Sequence, residues 1–165
     1  MSYISDIETK GCICLDDIIQ TAKMHVPEAY RFMPWTYPGL AHGTACLESE
    51  EQLNCYLASY GEMHKGKLQR IMADFPFSKI NSDFEIIDWG CGQGIATVYF
   101  IDYLRKYNLD SKLQKITLIE PSEVALERAR FNVAHAVNAD DVYIDIENCF
   151  LPSITPNDRT IGGMH

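Results

Sequence analysis

Residues 84 to 147 alternate between two kinds of pattern, and few architectures accommodate that alternation. "FEIID" (84–88) is a short apolar run that reads as a buried strand. After a glycine-rich turn, "IATVYFIDYLRKY" (95–107) spaces Ile95, Val98, Ile101 and Leu104 three residues apart, which predicts a helix with one apolar face. "KITLIE" (115–120) is a second strand. "SEVALERARFNVAHAV" (122–137) is a second helix, capped by Ser122, with Glu123 in its first turn and Ala125, Leu126, Ala129 and Val133 facing inward. "VYIDI" (142–146) is a third strand with Val142, Ile144 and Ile146 on one face. Strand, helix, strand, helix, strand is the half-unit of an open, doubly wound parallel sheet. Parallel neighbours need a crossover, and a right-handed crossover lays its helix on the sheet. The fold class is therefore α/β.

Before residue 80 the pattern is helical. "LDDIIQTAKMHV" (15–26) puts Leu15, Ile18, Ile19, Ala22 and Val26 at helical spacing, with Asp16 and Asp17 as candidate caps. Pro27 suits the first turn of a second short helix ending near Met33, and "PWTYPG" (34–39) is a loop. Ser49 followed by Gln52 is a capping-box pattern that opens a helix over 49–74, with Leu53, Tyr56, Leu57 and Tyr60 on one face. Gly61 and Gly66 weaken it, so one interrupted helix or two stacked ones are expected. "FPFSKINSD" is a linker. The expected division is a helical region at 1–80 and a sheet domain at 81–165. Open sheets of this kind commonly carry about five or more strands. With three in view and a Pro- and Gly-rich stretch from Leu151 on, the chain is expected to be the N-terminal portion of a longer protein, residues 81–165 being half of a domain, or else an unusually small relative.

Charge and composition narrow the function classes. The apolar share is 47% and the charged share 22%, which suits a folded globular chain. The net charge of -9 is spread over both halves, with 7 basic and 11 acidic groups in residues 1–83 and 7 and 12 in residues 84–165. Neither half offers the clustered Lys and Arg of a duplex-binding face. No apolar run reaches the roughly 18 to 20 residues of a membrane span, and the start has no basic, apolar leader. A cytoplasmic protein with reduced thiols is expected. The six cysteines include no C-x-x-C pair, so no metal site is expected.

The glycine turn carries the chemistry. In "IIDWGCGQGIATVY" (86–99) it sits between a strand and a helix, where a cofactor meets the carboxyl edge of a parallel sheet. The dinucleotide fingerprint G-x-G-x-x-G needs a glycine at position 95, which is Ile, and the third glycine comes one residue early. No Lys follows Gly94, so a phosphate loop of the G-x-x-x-x-G-K type is absent too. The D-x-G-x-G-x-G pattern of "IIDWGCGQG" resembles the first motif of class I S-adenosylmethionine-dependent methyltransferases, which are Rossmann-like. That resemblance implies that Gly90, Cys91, Gly92 and Gly94 pass beside the methionine half of the cofactor, with the Asp88 carboxylate near its amino group. It also implies an acidic residue at the end of the second strand, bound to both ribose hydroxyls. "TLIEPS" puts Glu120 there, 30 residues after Gly90 where about 20 is common, and "RKYNLDSKLQK" lengthens the crossover.

On the same resemblance, Pro121 and Ser122 line the adenine pocket. A residue just after the third strand reaches the adenine amino group, Glu147 being favoured over Asp145 and Asn148. Trp89 replaces a smaller residue and is expected to pack behind the loop. Upstream, Tyr56, Tyr60, His64 and Lys67 fall on one stripe of a helix if Gly61 does not break it. Tyr60, His64 and Lys67 then form a lid or substrate wall, or else Tyr60 packs on the sheet while His64 and Lys67 face solvent. The resemblance implies an S-adenosylmethionine-dependent methyltransferase whose substrate half and catalytic residues lie beyond residue 165, this portion alone being inactive. The methyl acceptor is unknown, a small molecule or protein fitting the acidic balance better than nucleic acid. A non-catalytic methyltransferase-like binding or assembly module is the alternative, and an NAD(P)-binding oxidoreductase a third. The first strand's open edge is a place for a second copy to pair.

Overall fold

Three strands make one parallel sheet in the order β1 (Phe84–Trp89), β2 (Leu113–Ile119), β3 (Tyr143–Glu147). The structure is a computed structural model that describes residues 1–43, 45–137 and 140–150; the Pro- and Gly-rich stretch from Leu151 on lies outside them. Asp88 pairs with Leu118, and Trp89, Ile119 and Glu147 are aligned across the carboxyl end of the sheet. The crossovers are α4 (Ile95–Lys106) and α5 (Glu123–Ala136). Their apolar stripes are the expected ones: Val98, Ile101 and Leu104 on α4 and Ala125, Leu126, Ala129 and Val133 on α5 are all buried.

The crossover helices cover the sheet from one side. With the order β1-β2-β3 both crossovers step in the same direction, so α4 and α5 lie side by side on one face of the sheet and touch each other. Phe84, Ile86 and Asp88 point under the helices, while Glu85, Ile87 and Trp89 alternate onto the other face and stay exposed. Trp89 is 52% exposed there, so it does not pack behind the loop. Its parity on the strand decides this. On the same open face Lys115 lies 3.7 Å from Asp145.

The N-terminal helices share the core of the sheet. α1 (Tyr3–Glu8), which the sequence reading did not foresee, starts with Ser2 and Ser5 capping each other, backbone N–H to side-chain oxygen in both directions at 2.8 and 3.2 Å. α2 (Leu15–Met24) holds Asp16 and Asp17 within its first turn, so neither is the cap residue. Cys14 is the cap residue, and the Asp17 carboxylate accepts its N–H at 2.9 Å from within the first turn. Asp102 of α4 accepts the N–H of Leu15 at 3.0 Å, so an acid from the sheet domain closes the start of α2. Residues 27–33 form only a one-turn helix at Glu28–Tyr30, and a second turn occupies Pro34–Thr36.

α3 (Glu50–Asp74) runs unbroken through both glycines. Gly61 faces Ile19 of α2 so closely that a Cβ would sit 3.0 Å from Ile19 Cγ1, and that close approach is what the glycine allows. Ser49 caps α3 by accepting the N–H of Gln52, whereas the Gln52 side chain accepts from Glu48 rather than from Ser49. Tyr3, Ile7, Ile13, Ile18, Ile19 and Leu57 from this region join Val98, Ile116, Leu118 and Val133 in one hydrophobic core. The change of pattern near residue 80 is thus a change of architecture within a shared interior.

Candidate functional site

The carboxyl ends of β1 and β2 and the start of α4 enclose the glycine turn. Gly90 and Cys91 both donate their N–H to the Ile119 carbonyl, at 2.8 and 3.1 Å, so the turn is pinned to the end of β2. Gly90, Gly92 and Gly94 all have left-handed φ, at +68°, +54° and +80°. Glu120, the residue after β2, holds the turn from the other side. One of its carboxylate oxygens accepts the Gly92 N–H at 3.0 Å and the other accepts the Ser122 N–H at 3.0 Å. Its own N–H donates to the Glu147 carbonyl at 3.1 Å. Asp88, still within β1, accepts a hydrogen bond from the Thr97 hydroxyl at 2.6 Å. Burial lifts its carboxyl above the usual range; the Thr97 bond opposes the rise and the Glu120 carboxylate adds to it.

These groups face a cavity of about 450 Å³, a size that suits a small organic ligand or cofactor. Asp88, Gly90, Cys91, Gly92, Glu120 and Ser122 line it from the sheet end. Tyr56, His64 and Lys67 line it from α3, and Leu47 from the segment before that helix. The Tyr56 hydroxyl and His64 Nε2 are 2.9 Å apart, and their rings lie 22° from parallel. Burial and the Lys67 ammonium both hold the His64 pKa below its ordinary value, so the imidazole is neutral at pH 7. Burial pushes the Cys91 thiol up to about 12, which leaves it an inert part of the wall.

Four residues singled out in the sequence do not line the cavity. Gly94 is the residue before α4 and faces α5. Tyr60, between Tyr56 and His64 on α3, packs its ring on Tyr56, 5.3 Å between centroids. Glu147 is exposed at the end of β3, and Pro121 turns its carbonyl to the Asn148 side-chain amide at 3.0 Å. Ser122 has a double part: its hydroxyl accepts the Ala125 N–H as the cap of α5 and donates to the Leu47 carbonyl, which draws Leu47 into the cavity wall.

Sequence reading missed the polar groups that hold the turn from behind. The Gln93 side-chain amide donates to the Leu53 carbonyl of α3 at 3.0 Å, and the Gln93 backbone carbonyl accepts from Asn132 of α5 at 3.0 Å. Asn132 accepts in turn from the Tyr3 hydroxyl at 2.8 Å. The Tyr3 ring lies 3.7 Å from the Arg128 guanidinium, which also donates to Asn54 and Glu50 of α3. Arg128 is 2% exposed, and that burial pulls its pKa down to about 10. Polar residues at the inward positions 128 and 132 of an amphipathic helix were the one available signal. Among the described residues no group of three or more His, Cys, Asp or Glu comes together to hold a metal ion, and no helix is long and apolar enough to cross a membrane. Comparisons with protein-family models, with curated proteins and with solved structures find no match to this chain.

Proposed function

We propose that this chain binds S-adenosylmethionine at the Gly90–Gly94 turn and is the cofactor-binding part of a Rossmann-like methyltransferase. The observation that carries the reading is the convergence of Asp88 and Glu120 on one cavity from adjacent strand ends, with the glycine turn between them. Each Glu120 oxygen already accepts one backbone N–H, and a carboxylate oxygen has room for a second donor, so two neighbouring ribose hydroxyls find two acceptors held in place. Asp88 is fixed by Thr97 through one oxygen, which leaves the other for an ammonium. A cation there would lower the cost of keeping this carboxylate charged while buried. Gly90 and Gly92 have no atom within 4 Å of where a Cβ would be, so the backbone is open to close approach from the cavity side.

S-adenosylmethionine supplies an electrophilic methyl group on a sulfonium. The protein's part in such a transfer is to position the two reactants in line and to keep water out. The neutral Tyr56–His64 pair is placed to accept a proton, should the methyl acceptor need to lose one. A small molecule or a protein side chain is proposed as acceptor, in keeping with the net charge of -9.

Isothermal calorimetry with S-adenosylmethionine, S-adenosylhomocysteine and NAD tests the reading. Binding of the two sulfur cofactors and not of NAD is expected. Asp88→Ala and Glu120→Ala are each expected to weaken binding by roughly ten- to a hundredfold, the worth of a charged hydrogen bond. A folded protein that binds neither sulfur cofactor would sink the proposal, and binding of NAD alone would redirect it to an oxidoreductase.

A further inference from the structure

A buried chain of hydrogen bonds runs from the glycine turn to α1. The Tyr3 hydroxyl donates to the Asn132 side-chain oxygen at 2.8 Å, and the Asn132 side-chain nitrogen donates to the Gln93 backbone carbonyl at 3.0 Å. Gln93 belongs to the turn and lines the cavity, and all three residues are buried. A side-chain amide has one donor end and one acceptor end, and the Gln93 carbonyl can be met only by the donor end. The Tyr3 hydroxyl takes the acceptor end, so it decides which way the Asn132 amide points. Burial raises its pKa above the ordinary phenol value, which keeps it a donor.

α1 has two discrete arrangements open to it. Its six residues are too few to hold a helix by themselves, so the helix is lost when Tyr3 and Ile7 leave the core. The chain turns at Gly11, with φ +74°, and is anchored again at Ile13, whose N–H donates to the His135 carbonyl at 3.0 Å and whose carbonyl accepts from Arg105 at 2.9 Å. We infer that Tyr3 is a positioning residue for the ligand turn, fixing the Gln93–Gly94 peptide through Asn132, so that docking of α1 and binding of the ligand support each other. For the identity of the ligand this rests on the cofactor reading above. It gives the site a control from the N-terminus: release of α1, with Gly11 as the hinge, frees the Asn132 amide and loosens the turn. Linkage makes the effect reciprocal, a ligand that needs the fixed turn holding α1 down by the same factor.

Tyr3→Phe removes the hydroxyl and keeps the ring against Arg128, whereas Ile7→Val trims the same helix and leaves the chain of hydrogen bonds whole. Calorimetry with S-adenosylhomocysteine is expected to show a loss of about fivefold or more for Tyr3→Phe and of less than about twofold for Ile7→Val, with circular dichroism verifying both folds. The Gly94 N–H shares its peptide with the Gln93 carbonyl, so in NMR spectra of the ligand-free proteins its signal is expected to move in Tyr3→Phe and to stay in Ile7→Val. Saturating S-adenosylhomocysteine is expected to slow hydrogen exchange of the α1 amides in the wild type by about fivefold or more. Equal affinity losses in the two variants, an unchanged affinity in Tyr3→Phe, an unmoved Gly94 signal or unslowed exchange each overturns the inference and leaves the cofactor reading in place. A wild type that binds no S-adenosylhomocysteine overturns the cofactor reading, and this inference with it.

Discussion

Replacing Gly94 by alanine separates the structural from the binding duties of the glycine turn. Gly94 has φ +80°, and a Cβ there would lie 3.1 Å from Val133 Cγ2 and 3.3 Å from both Cα and Cβ of Ala129. The left-handed backbone costs a non-glycine residue about 1–2 kcal/mol. The contact adds about 1–3 kcal/mol, since the Ala129 Cα belongs to the α5 backbone and cannot swing away. A loss of about 2–5 kcal/mol is expected. With a urea dependence of about 2 kcal/mol per molar, the unfolding midpoint falls by about 1–2.5 M. Gly92→Ala is the control. Its φ is +54° and nothing lies within 4 Å of the added methyl, so only the backbone cost of about 1–2 kcal/mol remains. That methyl enters the ligand space, so Gly92→Ala loses S-adenosylhomocysteine affinity out of proportion to its stability. Urea unfolding followed by circular dichroism, paired with calorimetry, reads both quantities. Equal midpoints for the two variants would refute the packing account of Gly94.

Further outcomes follow from the same geometry. Asn132→Ala strands the Tyr3 hydroxyl and the Gln93 carbonyl in the interior, and a stability loss of about 2–4 kcal/mol is expected in urea unfolding; less than about 1 kcal/mol would mean that other groups satisfy both. The His64 imidazole is expected to titrate below its ordinary 6.5 by NMR, moving upward in Lys67→Met; a midpoint at or above 6.5 in the wild type contradicts the placement. Because the folded pKa is the lower one, the His64 contribution to stability is present above pH 6.5 and fades as the pH falls through the lowered value, a slope that His64→Gln removes. Iodoacetamide at pH 8 is expected to label the exposed Cys12, Cys46 and Cys149 well before Cys91, whose thiol titrates near 12; rapid labelling of Cys91 in folded protein, read by mass spectrometry, would show the turn open.

Local chemistry was enough to find most elements of the sheet domain. The three-residue apolar spacing of α4 and α5, Ser122 as a cap, and the glycines between β1 and α4 are all set within a few residues of chain. Each carries its own periodicity or backbone demand. α1 escaped because six residues give too short a period to read, and its cap is two serines rather than a longer pattern. The start of α2 escaped because the acid that receives the Leu15 N–H, Asp102, is 87 positions away. Trp89 was misplaced because the side of the sheet that helices cover depends on the strand order, which alternation within one strand does not contain.

The sequence by itself determined an α/β chain with a glycine turn between Asp88 and the first crossover helix, and an acid at the end of the next strand. Hydrophobic period and φ > 0 are properties of short segments, so they are written locally. Only the tertiary structure decided that Tyr56, His64 and Lys67 of α3 face those acids across one cavity, that Tyr60 does not, and that Arg128 and Asn132 lock the turn from behind. Those are contacts between residues tens of positions apart, and they exist only once α1 and α3 bury their apolar faces against the helices that cover the sheet.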